Sequence, residues 1–481
     1  MMHTYLRFEN QRWSFCTINE TLSVPGEHWG SPLDPEWIAV NPIIRRLPAA
    51  AAAGPMPAVA APASVWASAR ALALALMLAL ALSVVAPAVR AEAKTLDSVV
   101  AELGSAAKPV AAATDAAGNV YVLNEGDATV SKFMPGGGLV RIFASLGASA
   151  RPQGMTIDPK GYLFVACAGT DSVTRISPTG TAVAYWAYDG AGSMPRGITS
   201  DRVGNVFVSN WGTSTITRIS ATGAVLPVFA RLDPADRPLG LTTDAAGSVY
   251  VAETQTNRVS KVLAPGAVQE AFAELPKGAG APSGPLAVAV DPWGALSVVT
   301  SSGSVSRFAA DGSLLAASVP LPPGSHRPTG VLLDAWGDAF VGDEFAPGVT
   351  VLDAAGSGAA SLAAFGSGTI VRAVALSGSG LLAADYVSGS VHRIELAPTL
   401  ATPPLAATVR RGVPTALDVQ TTGLTPKLIV SVGVLPPGLT LDETTGRLSG
   451  SPTVLGTYAF DVVAANHWGV TAPQHEVLVV R

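Results

Sequence analysis

Cysteine and charge are both scarce in this chain of 481 residues. The two cysteines, Cys16 and Cys167, are far apart, and the first lies in an N-terminal stretch expected to be lost, so the fold is expected to stand without disulfides. Charged residues make up 14% of the sequence, against about 25% in an ordinary globular domain. With a net charge of −5 and no basic block, nucleic acid is not an expected partner. There are six histidines, and no zinc-type spacing, phosphate-binding loop or Ser-His-Asp signature. Glycine (49) and proline (37) are plentiful instead, the residues that punctuate a turn-dense all-β chain.

The N-terminal region carries a targeting pattern. Arg70 precedes the apolar run at 71–82, and SVVAPAVRAEA follows with small residues around Val89 and Ala91. A positive residue, an apolar run and small residues at its end describe a secretory signal over 65–91, with cleavage after Ala91. The alternative is an uncleaved anchor, because Val65 to Ala88 nearly reaches the about 20 residues that span a bilayer. Residues 1–64 have no hydrophobic periodicity and end in an Ala/Pro-rich run, and are read as a disordered or mis-assigned extension. The mature chain is expected outside the cell, as a monomer free of the membrane once the signal is removed.

Downstream, one phrase returns seven times. Asp115-x-x-Gly118 recurs at Asp158, Asp201, Asp244, Asp291 and Asp334 and, with serine for aspartate, at Ser377. The steps are 43 residues, except for one of 47 between Asp244 and Asp291. A proline stands six residues before each aspartate, from Pro109 to Pro328. A period in the low forties filled with short alternating strands marks a β-propeller. Within 195–231, Arg196 to Thr199, Asn205 to Ser209, Thr215 to Ser220 and Val225 to Phe229 read as four strands. The Asp and Gly are read as turn chemistry, the glycine for positive φ and the aspartate capping its own backbone. The seventh copy supplies three strands, and Thr95 to Leu103 reads as the missing fourth. Pairing it there closes a seven-bladed ring over 92–396 and removes the free sheet edges.

Met155 to Ile176 and Leu241 to Val262, with Asn257-Arg258, resemble NHL repeats. The same phrases are similar to the streptogramin-lyase (virginiamycin B lyase-like) propellers and to the SMP-30/gluconolactonase group. The resemblance implies a propeller that hosts either a binding protein or an enzyme. Strand order puts the loops before each first strand and after each second strand on one face. Gln153, Arg196, Trp211, Arg372 and Tyr386 form the expected ligand-binding set there. The lactonase resemblance implies a Ca²⁺ or Mg²⁺ ion held by oxygen ligands, for which Asn210, Glu253, Asp343 and Asp385 are the candidates. The lyase resemblance implies a histidine pair with an acid and a metal near the channel. The propeller has only His326 and His392, and His326, in PPGSHRPTG, is the candidate base.

After Pro398 the composition changes, and 397–404, with Pro403-Pro404, reads as a linker. Residues 405–481 contain LPPGLTLDETTGRLSGSPTVLGTYAFDVVAANHWG, which closely resembles Ig-like domains of bacterial surface proteins and implies a small β-sandwich. The leading expectation is a secreted propeller that recognises an extracellular protein, glycan or small molecule, with the Ig-like module as a spacer. The alternative is an extracytoplasmic metal-dependent lyase or lactone hydrolase.

Overall fold

The computed structural model describes residues 2–9, 12–19, 97–276, 284–322, 327–345, 348–356, 358–400, 406–419, 421–424 and 428–481. The expected signal at 65–91, the inserted loop at 277–283 and His326 lie outside these residues. The N-terminal unit contributes one antiparallel hairpin, Met2–Glu9 with Arg12–Asn19.

Seven four-stranded antiparallel sheets follow, the first six in simple chain order. They span 109–145, 152–188, 195–231, 238–274, 285–320, 328–364 and 371–395, hereafter blades 1 to 7. Blade 7 takes its outer strand from Asp97–Glu102, which pairs antiparallel with Ser390–Glu395. The N-terminal strand thus closes the ring, and the first strands of neighbouring blades pack in sequence from blade 1 round to blade 7 and back. All-β architecture, propeller and N-terminal closure are as the repeat implied.

The period of two along each second strand does the packing. In blade 1, Tyr121 and Leu123 join the core shared with blade 2, while Val120 and Val122 join the core shared with blade 7. Both faces of such a strand are buried, which is why it reads as a continuous apolar run. Around the axis the first strands approach so closely that a Cβ on Gly197 would sit 2.1 Å from the Leu239 carbonyl. The Asp-x-x-Gly turns are turn chemistry. Asp201 Oδ1 accepts the amides of Val203, Gly204 and Asn205, and Gly204 has φ +95°.

The C-terminal module is a sandwich. One sheet contains Ala406–Val409, Gln474–Val480, Gly456–Asn466 and Leu428–Gly433; the other contains Thr415–Asp418, Arg447–Gly450 and Leu439–Leu441. Leu439, Leu448, Phe460, Val462 and Leu478 fill the space between. Asp442 Oδ1 caps the turn before Arg447, and its hydrogen bonds to Thr444 and Thr445 lower its pKa to about 2.

The expected linker at 397–404 is corrected in part. Thr399–Leu400 pairs with Thr421–Thr422, and the buried Leu396 carbonyl accepts from Leu424 N and Asn466 Nδ2. Apolar Leu396, Leu424 and Trp468 join the core of blades 6 and 7, so the junction is packed rather than spaced. Residues 401–405 lie outside the described set.

Candidate functional site

Register fixes the face. Each first strand starts opposite the last residue of the second strand, as in Pro195 with Asn210 and Pro238 with Glu253. The residue after that start points toward the axis in every blade. Val110, Gln153, Arg196, Leu239, Leu286, Thr329 and Arg372 all line one central cavity of about 360 Å³. Four of the seven are polar, and Gln153, Arg196 and Arg372, from three blades, line one chamber.

Trp211 and Tyr386 stand beside them. The Arg196 guanidinium lies 4.7 Å from the Trp211 ring centre, and that of Arg372 lies 4.1 Å from Tyr386. Arg372 is also paired with Glu344, whose other oxygen is 3.2 Å from Arg327. Gln153 Nε2 donates to Glu125 Oε1 at 3.0 Å, and Tyr386 OH to Glu125 Oε2 at 3.4 Å. Arg196 differs from Arg372. Among the described residues it makes no ion pair, while the Nε atoms of both arginines are buried without a hydrogen-bond partner. Burial and repulsion from Arg151 lower the Arg196 pKa, with Glu125 opposing. Lys108, Arg151, Arg237 and Arg327 precede the first strands of blades 1, 2, 4 and 6 and are exposed around the same mouth. Lys108, Arg151 and Arg237 hold positive φ near +50°, which places their side chains at the rim by backbone geometry.

The four metal candidates occupy the ends of second strands, one to a blade, and each is held within its own blade. Asn210 Nδ2 donates to Thr215 and Thr217 at 3.1 and 2.9 Å. Glu253 is buried against Arg258, which also pairs with Asp236 at 3.1 Å. Burial pushes the Glu253 carboxyl up, with Ser260 and Arg258 opposing and Asp236 adding. Asp343 Oδ1 accepts the Phe345 amide at 2.7 Å. Asp385 accepts the amides of Ile370, Val387 and Ser388; burial raises its pKa, but those bonds and the Ser388 hydroxyl outweigh it and hold it low. Glu253, Asp343 and Asp385 do not meet: among the described residues the one trio of acidic, His or Cys ligand atoms within 4.8 Å lies elsewhere, at Asp334, Asp338 and His467. A channel Ca²⁺ or Mg²⁺ site on these four positions therefore does not fit the structure. Separation rather than saturation argues against it: Asn210 Oδ1 and Glu253 Oε1 are buried without a hydrogen-bond partner, but they stand in different blades and no cluster of ligand atoms forms around them among the described residues. The Asn257-Arg258 pair of the repeat serves the same Glu253 network.

Cys167 is fully buried beneath the face, with Thr174 Oγ1 3.5 Å from its sulfur; burial raises its pKa, so it is an inert core thiol. His392 stacks on Phe365 at 4.1 Å between blades 6 and 7, away from the cavity lining. Sequence reading passed over Asp189. It takes the place held by Leu146, Leu232, Leu275 and Leu321 in other blades, each making the matching backbone bond. Burial raises the Asp189 carboxyl to about 7, with Thr217 opposing and Asp171 adding. Aligning the repeats at 43-residue steps would have exposed it.

Residues 397–480 match the family described as "Putative Ig domain". No curated protein matches the chain in sequence. Among solved structures, virginiamycin B lyase from Staphylococcus aureus superposes with a TM-score of 0.56 at 17% identity, covering 63% of this chain and 100% of that one. A streptogramin B lyase gives 0.56 at 15%, covering 64% and 99%. A catalytically inactive variant of the Staphylococcus aureus enzyme, solved with quinupristin, gives 0.55 at 18%, covering 63% and 100%. At these identities the superpositions speak to the fold. The family model for the virginiamycin B lyase family matches residues 93–357, more than half of the sequence, and the chain belongs to that family.

Proposed function

We propose that the propeller is an extracellular recognition module that binds a carboxylate-bearing ligand, an acidic glycan or acidic peptide segment, at the channel mouth. The observation that carries this is Arg196. Its charged group faces a 360 Å³ cavity, has no acidic partner and leaves a buried Nε without a hydrogen bond. The half-buried guanidinium is stacked on Trp211 but has no acidic partner, and a ligand carboxylate supplies the bidentate partner its planar fork matches. Trp211 fixes the guanidinium plane and offers an apolar platform, and the rim cations Lys108, Arg151 and Arg237 raise the local concentration of anions.

The test is isothermal titration with oligogalacturonate and with its reduced, neutral counterpart. The acidic oligosaccharide is expected to bind, more weakly as salt rises, and Arg196→Ala is expected to weaken it at least tenfold. Equal binding of both sugars, or an unaffected Arg196→Ala variant, would remove the reading.

Family membership favours a second reading, an extracytoplasmic lyase or lactone hydrolase with His326 as base. Cleavage of a streptogramin B ester or of gluconolactone by the purified chain, lost in His326→Ala, would establish it. The described cavity walls bring Gln153, Thr329 and two arginines to such a substrate and no carboxylate.

A further inference from the structure

We propose that Asp334, Asp338 and His467 form a divalent-cation site of the zinc class that ties blade 6 to the Ig-like module. Asp334 and Asp338 belong to the Asp-x-x-Gly turn of blade 6, on the face away from the channel mouth. His467 comes from the loop between Gly456–Asn466 and Gly469–Val470 of the module. The three side chains bring their ligand atoms within 4.8 Å of one another.

Comparison between blades shows what is unusual. In blades 1, 3, 4 and 5 the second oxygen of the turn aspartate is compensated from within the ring, and in blade 2 Asp158 is only half-buried. Asn119 and Asn205 donate to Asp115 and Asp201 Oδ2 at 2.7 and 2.6 Å. Tyr121 and Tyr250 hydroxyls donate to Asp115 and Asp244 Oδ2. Lys261 and Arg307 approach Asp244 and Asp291 Oδ2 at 3.6 and 3.3 Å. Blade 6 has lost all three devices. Where the asparagine stands it has Asp338, where the tyrosine stands Phe340, and where the cation stands Val351, opposite Phe340 in the register. The other six blades place Lys or Arg at that last position, from Lys132 to Arg393.

Two carboxylates, 3% and 5% exposed, are thus set side by side with no cation from their own blade. The nearest arginine, Arg307 of blade 5, is committed to Asp291 and to the Gly337 carbonyl. Its pKa is lowered by burial, with Asp291, Asp338 and Asp353 opposing. Asp338 Oδ1 is taken by the Ala354 amide. Asp334 Oδ2 and His467 Nε2 are buried and make no hydrogen bond, yet they face each other at 3.5 Å. Asp338 Oδ2 is 3.7 Å from the same nitrogen.

Those separations select the ligand. A direct N–H···O bond would close to about 2.7–3.2 Å. Two ligand atoms each about 2.1 Å from one tetrahedral zinc ion stand about 3.4 Å apart. Two oxygens and an imidazole suit zinc, with the remaining position left to solvent. Calcium would require six to eight oxygens, which this site lacks. Trp336 lies 4.6 Å from the imidazole and Trp468 packs beside both, so the ring is held in place and two indoles report on it.

The test uses the full chain after chelator treatment, titrated with Zn²⁺ while tryptophan fluorescence and thermal unfolding are followed. About one equivalent is expected to bind, raising Tm and changing the indole signal, with Ca²⁺ inert. Asp338→Asn restores the donor of blades 1 and 3. It is expected to fold and to weaken Zn²⁺ at least tenfold, as is His467→Gln. The proposal is overturned if the wild-type chain takes up no saturable Zn²⁺, or if both variants bind as tightly as wild type. It is also overturned if the indole signal titrates with pH identically with and without Zn²⁺, which would mean that a protonated His467 alone compensates the pair.

Discussion

The channel mouth and the base of blade 6 are opposite ends of one repeat, and each holds a buried polar atom, Arg196 Nε and Asp334 Oδ2, without a hydrogen bond. At the mouth Arg196 lacks an acid; at the base Asp334 and Asp338 lack a cation from their blade. Between them, Glu253 and Asp236 are closed locally by Arg258, whereas Asp189 is buried with neither oxygen hydrogen-bonded. Positions that follow the repeat hold the fold, and both proposed binding sites lie at departures from it.

Substitutions can break that comparison. The largest effect is expected at the closed network: Arg258→Met leaves two buried carboxylates facing each other and should cost about 3–5 kcal/mol in denaturant unfolding, with oligogalacturonate binding by the folded fraction unchanged. Next comes Asp189. Its carboxyl titrates at about 7 in the folded chain against a reference of 3.8, so the stability this group contributes is fully present below about pH 4 and is lost as pH rises through 7. The loss is of order 4 kcal/mol if the whole shift is expressed. Asp189→Leu should flatten that profile and raise Tm at pH 8. Arg196→Ala should do the reverse of Arg258→Met: Tm unchanged or higher, with acidic-ligand binding weakened at least tenfold. The smallest effect is expected at a repeated turn, where Asp115→Ala should cost about 1–2 kcal/mol and leave both sites untouched.

Much of this was legible in the sequence because it rests on local chemistry. The 43-residue step set the blades, and Gly204 and Asp201 do what turn geometry demands. Thr95 to Leu103 is an orphan strand, and a ring needs a partner for Ser390–Glu395. The face of Gln153, Arg196 and Arg372 followed from strand order. What sequence could not show is which partner a side chain already has. Glu253 and Asp385 stand at the right ends of their strands, but an arginine five residues on and three backbone amides had claimed them. Asp338 and His467 are 129 positions apart and meet only because the two domains dock through Trp468 and Leu424. Asp189 was readable in principle, as the one carboxylate in a column of leucines.

The most direct measurement of the central claim is the titration of oligogalacturonate into the wild-type chain and Arg196→Ala, at low and high salt. Saturable binding that weakens with salt and at least tenfold on losing Arg196 is the result expected from an unpaired guanidinium in the channel. Binding that is indifferent to both, or that favours the reduced neutral sugar, would contradict it.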